Sequence, residues 1–349
     1  MCVSIPKLLP QTLSLVVALM VLLTFPLIAQ EKGSAANSGT PVLWRDPGNV
    51  ATRDLTYGPG AADLAPAPPF TFVEEDKEGV SPKFKVKDAR GVNWNVKLGV
   101  ESQAETAATR LIWAVGYFAE ESYYLPEATI EGLPKLSRGT EFVAGNKVRG
   151  ARFEPRRTGV TQGENWEWLE NPFAGTRELD GLKVLMVLLA NYDTTPRNNR
   201  IVFASNADTG AAEARYMVTD LGATLGRVGG LGGKRTKNDL EDFSASRFVV
   251  DVKDGMVEFD YHTTPKGLGM VGAVFNPGYL KGQGAKEKAM RRIPVENARW
   301  IGALLSRLTD NQIKSAFQAA GYNAATAAGY MRTIKTRIGE LRVLPVNSE

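Results

Sequence analysis

Lys97, Glu105, Asp193, Asn198 and Asp220 follow one another along the chain with the side-chain types needed to handle a phosphorylated nucleotide and a hard cation. The phosphates of ATP, or of another nucleotide, need a fixed positive charge. Lys97, ending the alternating run Trp94-Asn-Val-Lys97, could supply it from a strand. Such a lysine must be held, and a carboxylate on the adjoining helix can pair with it; Glu105 is the first candidate and Glu101 the second. Asp193-Thr-Thr-Pro-Arg-Asn198 sets a carboxylate and an amide five residues apart in a loop. Asp193 could orient a substrate hydroxyl or accept its proton. Asn198 could offer its carbonyl oxygen to Mg²⁺ or Mn²⁺, although the adjacent Asn199 leaves the metal amide open by one position. Asp220, followed by Leu221 and Gly222, could be the second oxygen ligand. Magnesium takes one or two carboxylates together with phosphate oxygens and water, so this sparse set suffices. Taken singly each piece is weak. Asp-Leu-Gly is often only a turn, and Glu105 reads equally as the closing residue of a capping box, Ser102-Gln-Ala-Glu105. Their joint order carries the reading.

Elements must place these groups. Phe70–Val73, Lys83–Lys87 and Asn93–Leu98 read as short strands, joined in part by the tight connection Asp88-Ala-Arg-Gly91. Apolar residues at Ala108, Leu111, Ile112 and Val115 predict a helix over Glu105–Val115. Strand-like pieces at Tyr123–Ile130 and Glu141–Phe153 complete a small antiparallel sheet with one helix. The apolar run Leu179–Ala190 predicts a buried helix, Asn191–Arg200 a polar loop, and Ile201–Phe203 with Tyr216–Val218 a hairpin that returns the chain beside that loop. Helices are expected over Val295–Leu308, Thr309–Ala320 and Asn323–Leu341, with Gly321 as a stop between the last two. There are no internal repeats.

Composition sets the outer limits. The 349 residues, 43% hydrophobic and 23% charged, are those of a globular chain. A net charge of +4 is too small to argue for nucleic acid or a membrane surface. Lys7 precedes an apolar run, Leu13–Ala29, which ends in a small residue before Gln30. This predicts a secretory signal, cleaved or retained as a membrane anchor, and an exported, periplasmic or extracellular protein. Residues 30–69, rich in Gly, Ala, Pro, Ser, Asn and Asp, read as a mostly irregular linker. Cys2 lies within the leader, so a cleaved chain has no thiol for a disulfide or a cysteine–zinc site. His262, the single histidine, excludes a His-rich metal site and is the only residue through which a histidine-dependent hydrolase could work. No Gly-x-Ser-x-Gly elbow accompanies it.

The stretch Phe84-Lys-Val-Lys-Asp-Ala-Arg-Gly-Val-Asn-Trp-Asn-Val-Lys-Leu-Gly99 resembles the lysine strand of the atypical kinases of the protein-kinase-like superfamily, as does the helix ending Leu-Ile-Trp-Ala-Val-Gly-Tyr117. That group includes the phosphatidylinositol kinases, bacterial toxin kinases and secretory-pathway kinases. Trp166–Lys183, running into Asn191-Tyr-Asp193, is similar to uncharacterised exported proteins of soil bacteria such as Acidobacteria. The resemblance covers roughly Phe70 to Leu341. It implies an α+β, two-lobed kinase-like fold, with a small antiparallel sheet lobe and one helix over 70–160 and a larger, mainly helical lobe over 161–349. It further implies Lys97 for phosphates, Glu105 for its ion pair, Asp193 as catalytic aspartate, and Asn198 and Asp220 for metal. The chain departs from ordinary protein kinases in lacking a Gly-x-Gly-x-x-Gly loop. Gly79-Val-Ser-Pro-Lys83 stands there instead, leaving Ser81 and Lys83 as the phosphate contacts. Asn191-Tyr192 replaces the usual His-Arg pair.

The expectation is therefore phosphoryl transfer from Mg-ATP to a hydroxyl on protein, lipid or carbohydrate. A non-catalytic relative, serving as a binding or scaffold module of the cell envelope, is the alternative. Lys234, Arg235 and Lys237 in the Gly-rich segment after Asp220 could hold an anionic substrate, or form only a solvated loop. Trp166 and Trp168 could stack on a sugar, or pack against the helices.

Overall fold

The computed structural model describes residues 38–345, other than 80, 158, 230–233, 264–283 and 285–286. The expected leader, 1–29, lies outside them. Among the described residues no helix is long and apolar enough to cross a membrane. The described part of the stretch expected to be an irregular linker holds regular structure. β1 (Thr40–Val42) runs parallel to a strand around Ala214. Leu43, Val50 and Leu55 are buried in the larger of two cores. The Gln312 amide donates to the carbonyls of Val50 and Arg53, tying the stretch to a C-terminal helix. Three apolar residues spaced by loops have no period, so the sequence pattern could not reveal them.

Alternation builds the next layer. β2 (Phe70–Asp76), β3 (Lys83–Lys87) and β4 (Asn93–Leu98) form the expected antiparallel meander, with Val86 opposite Trp94 and Lys83 opposite Lys97. β5 (Tyr123–Glu131), the short β6 (Val143–Ala144) and β7 (Lys147–Pro155) follow. β7 pairs with both β5 and β4, and β5 touches β2 through the parallel pairs Phe70–Ile130 and Thr71–Glu131. The five strands β2, β3, β4, β7 and β5 thus close into a barrel. Closure leaves inward side chains to fill the interior, here Phe84, Val96, Trp94, Phe153 and Ile130, which form the second core. Each such fully buried side chain stabilises the barrel by about 2 kcal/mol.

α1 (Glu101–Ala114) lies against β7, β4 and β5 and is buried on nearly every side. It begins four residues before the sequence implied. Its N-cap is Val100, and the Ser102 hydroxyl donates to the Lys97 carbonyl, so no capping box forms. α2 (Arg177–Leu188) starts at Thr176, whose hydroxyl accepts from the Leu179 N–H. β8 (Thr161–Asn165), β9 (Asn199–Ser205) and β10 (Ala212–Val218) join β1 in a four-stranded sheet ordered β1-β10-β9-β8. Then come α3 (Leu240–Ala245) and a three-stranded sheet of β11 (Val249–Lys253), β12 (Met256–Phe259) and β13 (Arg292–Pro294). α4 (Val295–Leu305), α5 (Asp310–Ala319) and α6 (Ala324–Arg342) end the described chain. α5 has a full capping box of Thr309 and Gln312, and Gly321 adopts the positive φ expected of a helix stop.

The class is α+β, but the two-lobed kinase-like arrangement is not what forms. The β4–β7 and β2–β5 pairings close the first sheet into a barrel, the latter pairing parallel, where a small antiparallel sheet lobe was expected. The second half is rich in helix but also carries sheets: its hairpin recruits β1 and β8 into one, and three later strands build another. These pairings link residues tens to more than a hundred positions apart, beyond the reach of local periodicity.

Candidate functional site

Lys97 sits on β4, with its side chain 7% exposed, among three carboxylates from two segments. Its Nζ is 2.7 Å from Asp220 Oδ1, 2.8 Å from Glu101 Oε2 and 3.0 Å from Glu105 Oε2. Burial acts to lower its pKa. The carboxylates of Glu105, Asp220 and Glu101 outweigh that and hold it above the ordinary lysine range. Glu101 and Glu105 are four residues apart on α1, hence on one helical face. Sequence reasoning treated them as alternatives, and both bind the ammonium.

A second cation stands beside the first. Lys97 and Arg152 are cross-strand partners in the β4–β7 pairing that closes the barrel. Arg152 Nη2 is 3.3 Å from Glu105 Oε1, 3.1 Å from Glu120 Oε2 and 3.3 Å from Glu154 Oε2. Glu105 is therefore gripped at both oxygens. Burial and the neighbouring Glu154 push the Glu120 carboxyl up to about 8, against the pull of Arg152. Lys237 pairs with Glu101. Five carboxylates meet three cations in this network, leaving two negative charges uncompensated. Burial and Glu154 favour the protonated form of Glu120, which offsets part of that excess.

Asp220 arrives from the hairpin. β9 and β10 pair from Asn199–Val218 to Ser205–Ala212, and just beyond the pair the Thr219 N–H donates to the Asn198 carbonyl at 2.7 Å. Asp220 then takes a left-handed φ of +50°, which turns its half-exposed side chain toward Lys97. The Asn198 amide donates to the Asp193 carbonyl at 2.9 Å, joining the two ends of the polar loop. Asn199 points away and is fully buried, its amide donating to the Trp166 carbonyl. Trp166 and Trp168 are themselves buried edge to face. Their N–H groups donate to the carbonyls of Met217 and Thr194, so they brace the hairpin and the loop from behind.

Two adjoining chambers open beside Lys97. The first, of about 250 Å³, is lined by Ser81, Lys83, Lys97, Arg152 and Asp220, among others. The second, of about 440 Å³, has an apolar wall of Phe118, Val160, Val202 and Met217 and a basic rim that includes Arg156, Arg157 and Arg215. Glu120, Glu154, Arg200 and Thr219 border both.

The structure thus brings together Lys97, Glu101, Glu105, Asp220, Ser81 and Lys83. Asp193 and Asn198 are tied to this group through Thr219 but do not line either chamber. Lys237 belongs to the network, Arg235 lies over the Tyr192 ring, and Lys234 is exposed. His262 is 3.3 Å from Asp260 and lies away from both chambers. Sequence reasoning missed Arg152, Glu120 and Glu154. The available signal was a charged residue between Ala151 and Phe153 in an apolar strand segment, but its meaning depends on barrel closure. Among the described residues, no group of three or more His, Cys, Asp and Glu side chains is arranged to hold a metal by itself. Comparison of the chain with protein-family models, curated proteins and solved structures finds no match.

Proposed function

We propose that the chain is an exported phosphotransferase that moves the γ-phosphoryl group of ATP, or of another nucleotide, to a hydroxyl on a protein, lipid or carbohydrate. The observation that carries this reading is the meeting of Lys97, Glu105 and Asp220 from three parts of the chain, at the edge of a charged chamber that adjoins one with an apolar wall and a basic rim. The apolar wall of the second chamber suits a planar base and the charged chamber its phosphates. The donor set fits Mg²⁺ or Mn²⁺ as part of the nucleotide complex. Asp220 is half exposed, Asn198 lies one hydrogen-bonded neighbour away, and the network retains uncompensated negative charge. When bound, the metal would neutralise phosphate charge as it develops in the transition state.

The chain's own residues have separable tasks. Lys97 binds phosphate oxygens, and Glu105, fixed by Arg152, keeps it from swinging out. Asp193 accepts the proton of the acceptor hydroxyl as that oxygen bonds to the γ-phosphorus and the bond from phosphorus to the β–γ bridging oxygen breaks. One observation favours the second reading, a non-catalytic nucleotide-binding or scaffold module: Asp193 does not line the chambers. Export rests on the Lys7 to Ala29 pattern alone.

Thermal unfolding with Mg-ATP tests nucleotide binding. A nucleotide at about 100 times its Kd stabilises by about 2.7 kcal/mol. Asp220→Asn should lose that stabilisation, whereas Asp193→Asn should keep it. If no nucleotide raises the melting temperature, the phosphotransferase reading is wrong and the scaffold reading remains. Binding without transfer of label from γ-labelled ATP to an envelope extract would select the second.

A further inference from the structure

The Glu101 carboxylate is ringed by donors from three separate parts of the chain. Ser81 Oγ, in the turn between β2 and β3, donates to Oε2 at 2.8 Å. Lys97 Nζ, on β4, lies 2.8 Å from the same oxygen, and Lys237, beyond Asp220, pairs with Oε1. Gly222 presses on the side chain from a fourth direction. A Cβ there would lie 2.7 Å from Glu101 Cβ and 2.9 Å from Oε2, so Glu101 reaches its position only because residue 222 has no side chain. Burial would raise the pKa of this carboxyl, but Lys97, Lys237 and Ser81 together bring it down to about 2, so it stays an anion.

Two ammonium groups and a hydroxyl converging on one pair of oxygens are the donors a phosphoryl group takes. The ring is open at one side, where Lys237 is 34% exposed, and Ser81 also lines the charged chamber. We propose that Ser81, Lys97 and Lys237 form a phosphate-binding site whose built-in occupant is the Glu101 carboxylate, displaced when a phosphoryl group enters. The proposal deepens the nucleotide reading by naming the anion subsite and a brake on it. Apparent affinity for phosphate is reduced by the fraction of molecules in which Glu101 has vacated the ring.

The test uses inorganic pyrophosphate, which has neither base nor sugar, titrated calorimetrically without divalent metal into the whole chain. Glu101→Gln should bind it at least about tenfold more tightly than the wild type. Asp220→Asn removes the same charge from the same ammonium without emptying the ring, so its gain should be several-fold smaller. Adding Lys237→Met to Glu101→Gln should abolish the gain. Equal gains from Glu101→Gln and Asp220→Asn would overturn the proposal, because net charge alone would then explain them. Unchanged or weaker binding by Glu101→Gln would overturn it too. Should Glu101→Gln fail to fold, Lys237→Met alone decides: weaker pyrophosphate binding supports the site, and unchanged binding removes it. If pyrophosphate behaves as expected while ATP binds no better than pyrophosphate, the anion site stands and the nucleotide reading falls.

Discussion

Glu105 and Asp220 hold the same ammonium, yet the structure assigns them opposite roles, and a pair of substitutions separates these. Glu105 is 2% exposed and bridges Lys97 at 3.0 Å and Arg152 at 3.3 Å. Glu105→Gln keeps the shape and removes the charge, leaving two buried cations each short of a partner. Breaking a buried pair on one side costs about 3–5 kcal/mol. Glu101, Asp220, Glu120 and Glu154 remain on those cations, so the lower end applies, about 3 kcal/mol. At about 2 °C per kcal/mol for a domain of this size, the melting temperature should fall by about 6 °C. Asp220 is 55% exposed, and pairs of that kind are worth about 0–1 kcal/mol. Asparagine also tolerates the left-handed φ of +50° that Asp220 adopts. Asp220→Asn should therefore shift melting by about 2 °C at most while removing metal-dependent nucleotide binding. Scanning calorimetry of both variants at pH 7, with and without Mg-ATP, reads both effects. A harmless Glu105→Gln, or an Asp220→Asn that unfolds early, would show that burial does not sort these carboxylates as argued. An Asp220→Asn that binds Mg-ATP normally would refute its assignment to the site.

Glu120 gives a pH signature. Its folded pKa of about 8 lies above that of a free glutamate, so its contribution is complete below about pH 4.5 and is lost as pH rises through 8. Melting temperature should therefore fall between about pH 4.5 and 8, and Glu120→Gln should flatten that fall. Glu101, with a folded pKa of about 2, works in the opposite sense: its contribution is present above about pH 4.5 and disappears as pH drops toward 2, a loss that Glu101→Gln should remove from the acid limb. Trp168→Phe deletes the buried N–H bond to the Thr194 carbonyl and should cost about 1–2 kcal/mol in denaturant unfolding, a cost that Trp168→Tyr, also lacking that N–H in place, should not rescue. Asp193→Asn should leave Mg-ATP binding within twofold of the wild type and abolish label transfer; retained turnover would show that another group takes the proton.

Part of this site was legible in the residues. Lys97 ends an alternating strand, Glu101 and Glu105 share a helical face, and the hairpin returns Asp220 to the loop of Asp193 and Asn198; each is a local pattern. What stayed hidden was long-range. Arg152 meets Lys97 only because β4 pairs with β7, and β1 joins β10 across more than 170 positions. The expected capping box failed for a related reason. Ser102 and Glu105 have the right spacing, but Ser102 is drawn to the Lys97 carbonyl and Glu105 to two buried cations, and those tertiary bonds outweigh a local cap. The tryptophan pair shows the reverse case, where the plain expectation of packing is what forms.

Barrel closure also bears on the chemistry. Without β7 beside β4, Glu105 would be held by Lys97 alone, and a glutamate held at one oxygen can rotate away. With β7 paired to β4, Arg152 takes the other oxygen and leaves Glu105 one orientation, so the position of the ammonium is set by the barrel wall rather than by a flexible side chain. The same closure concentrates acid. Glu120 and Glu154 come in on Arg152, and the network carries more carboxylate than base. Lys83, Arg156 and Arg200 line the same chamber, so its five acidic side chains stand among five basic ones and a metal–nucleotide complex would meet both signs of charge. On the proposed nucleotide reading, Asp220, the most exposed carboxylate touching Lys97, is the point at which a cation would enter.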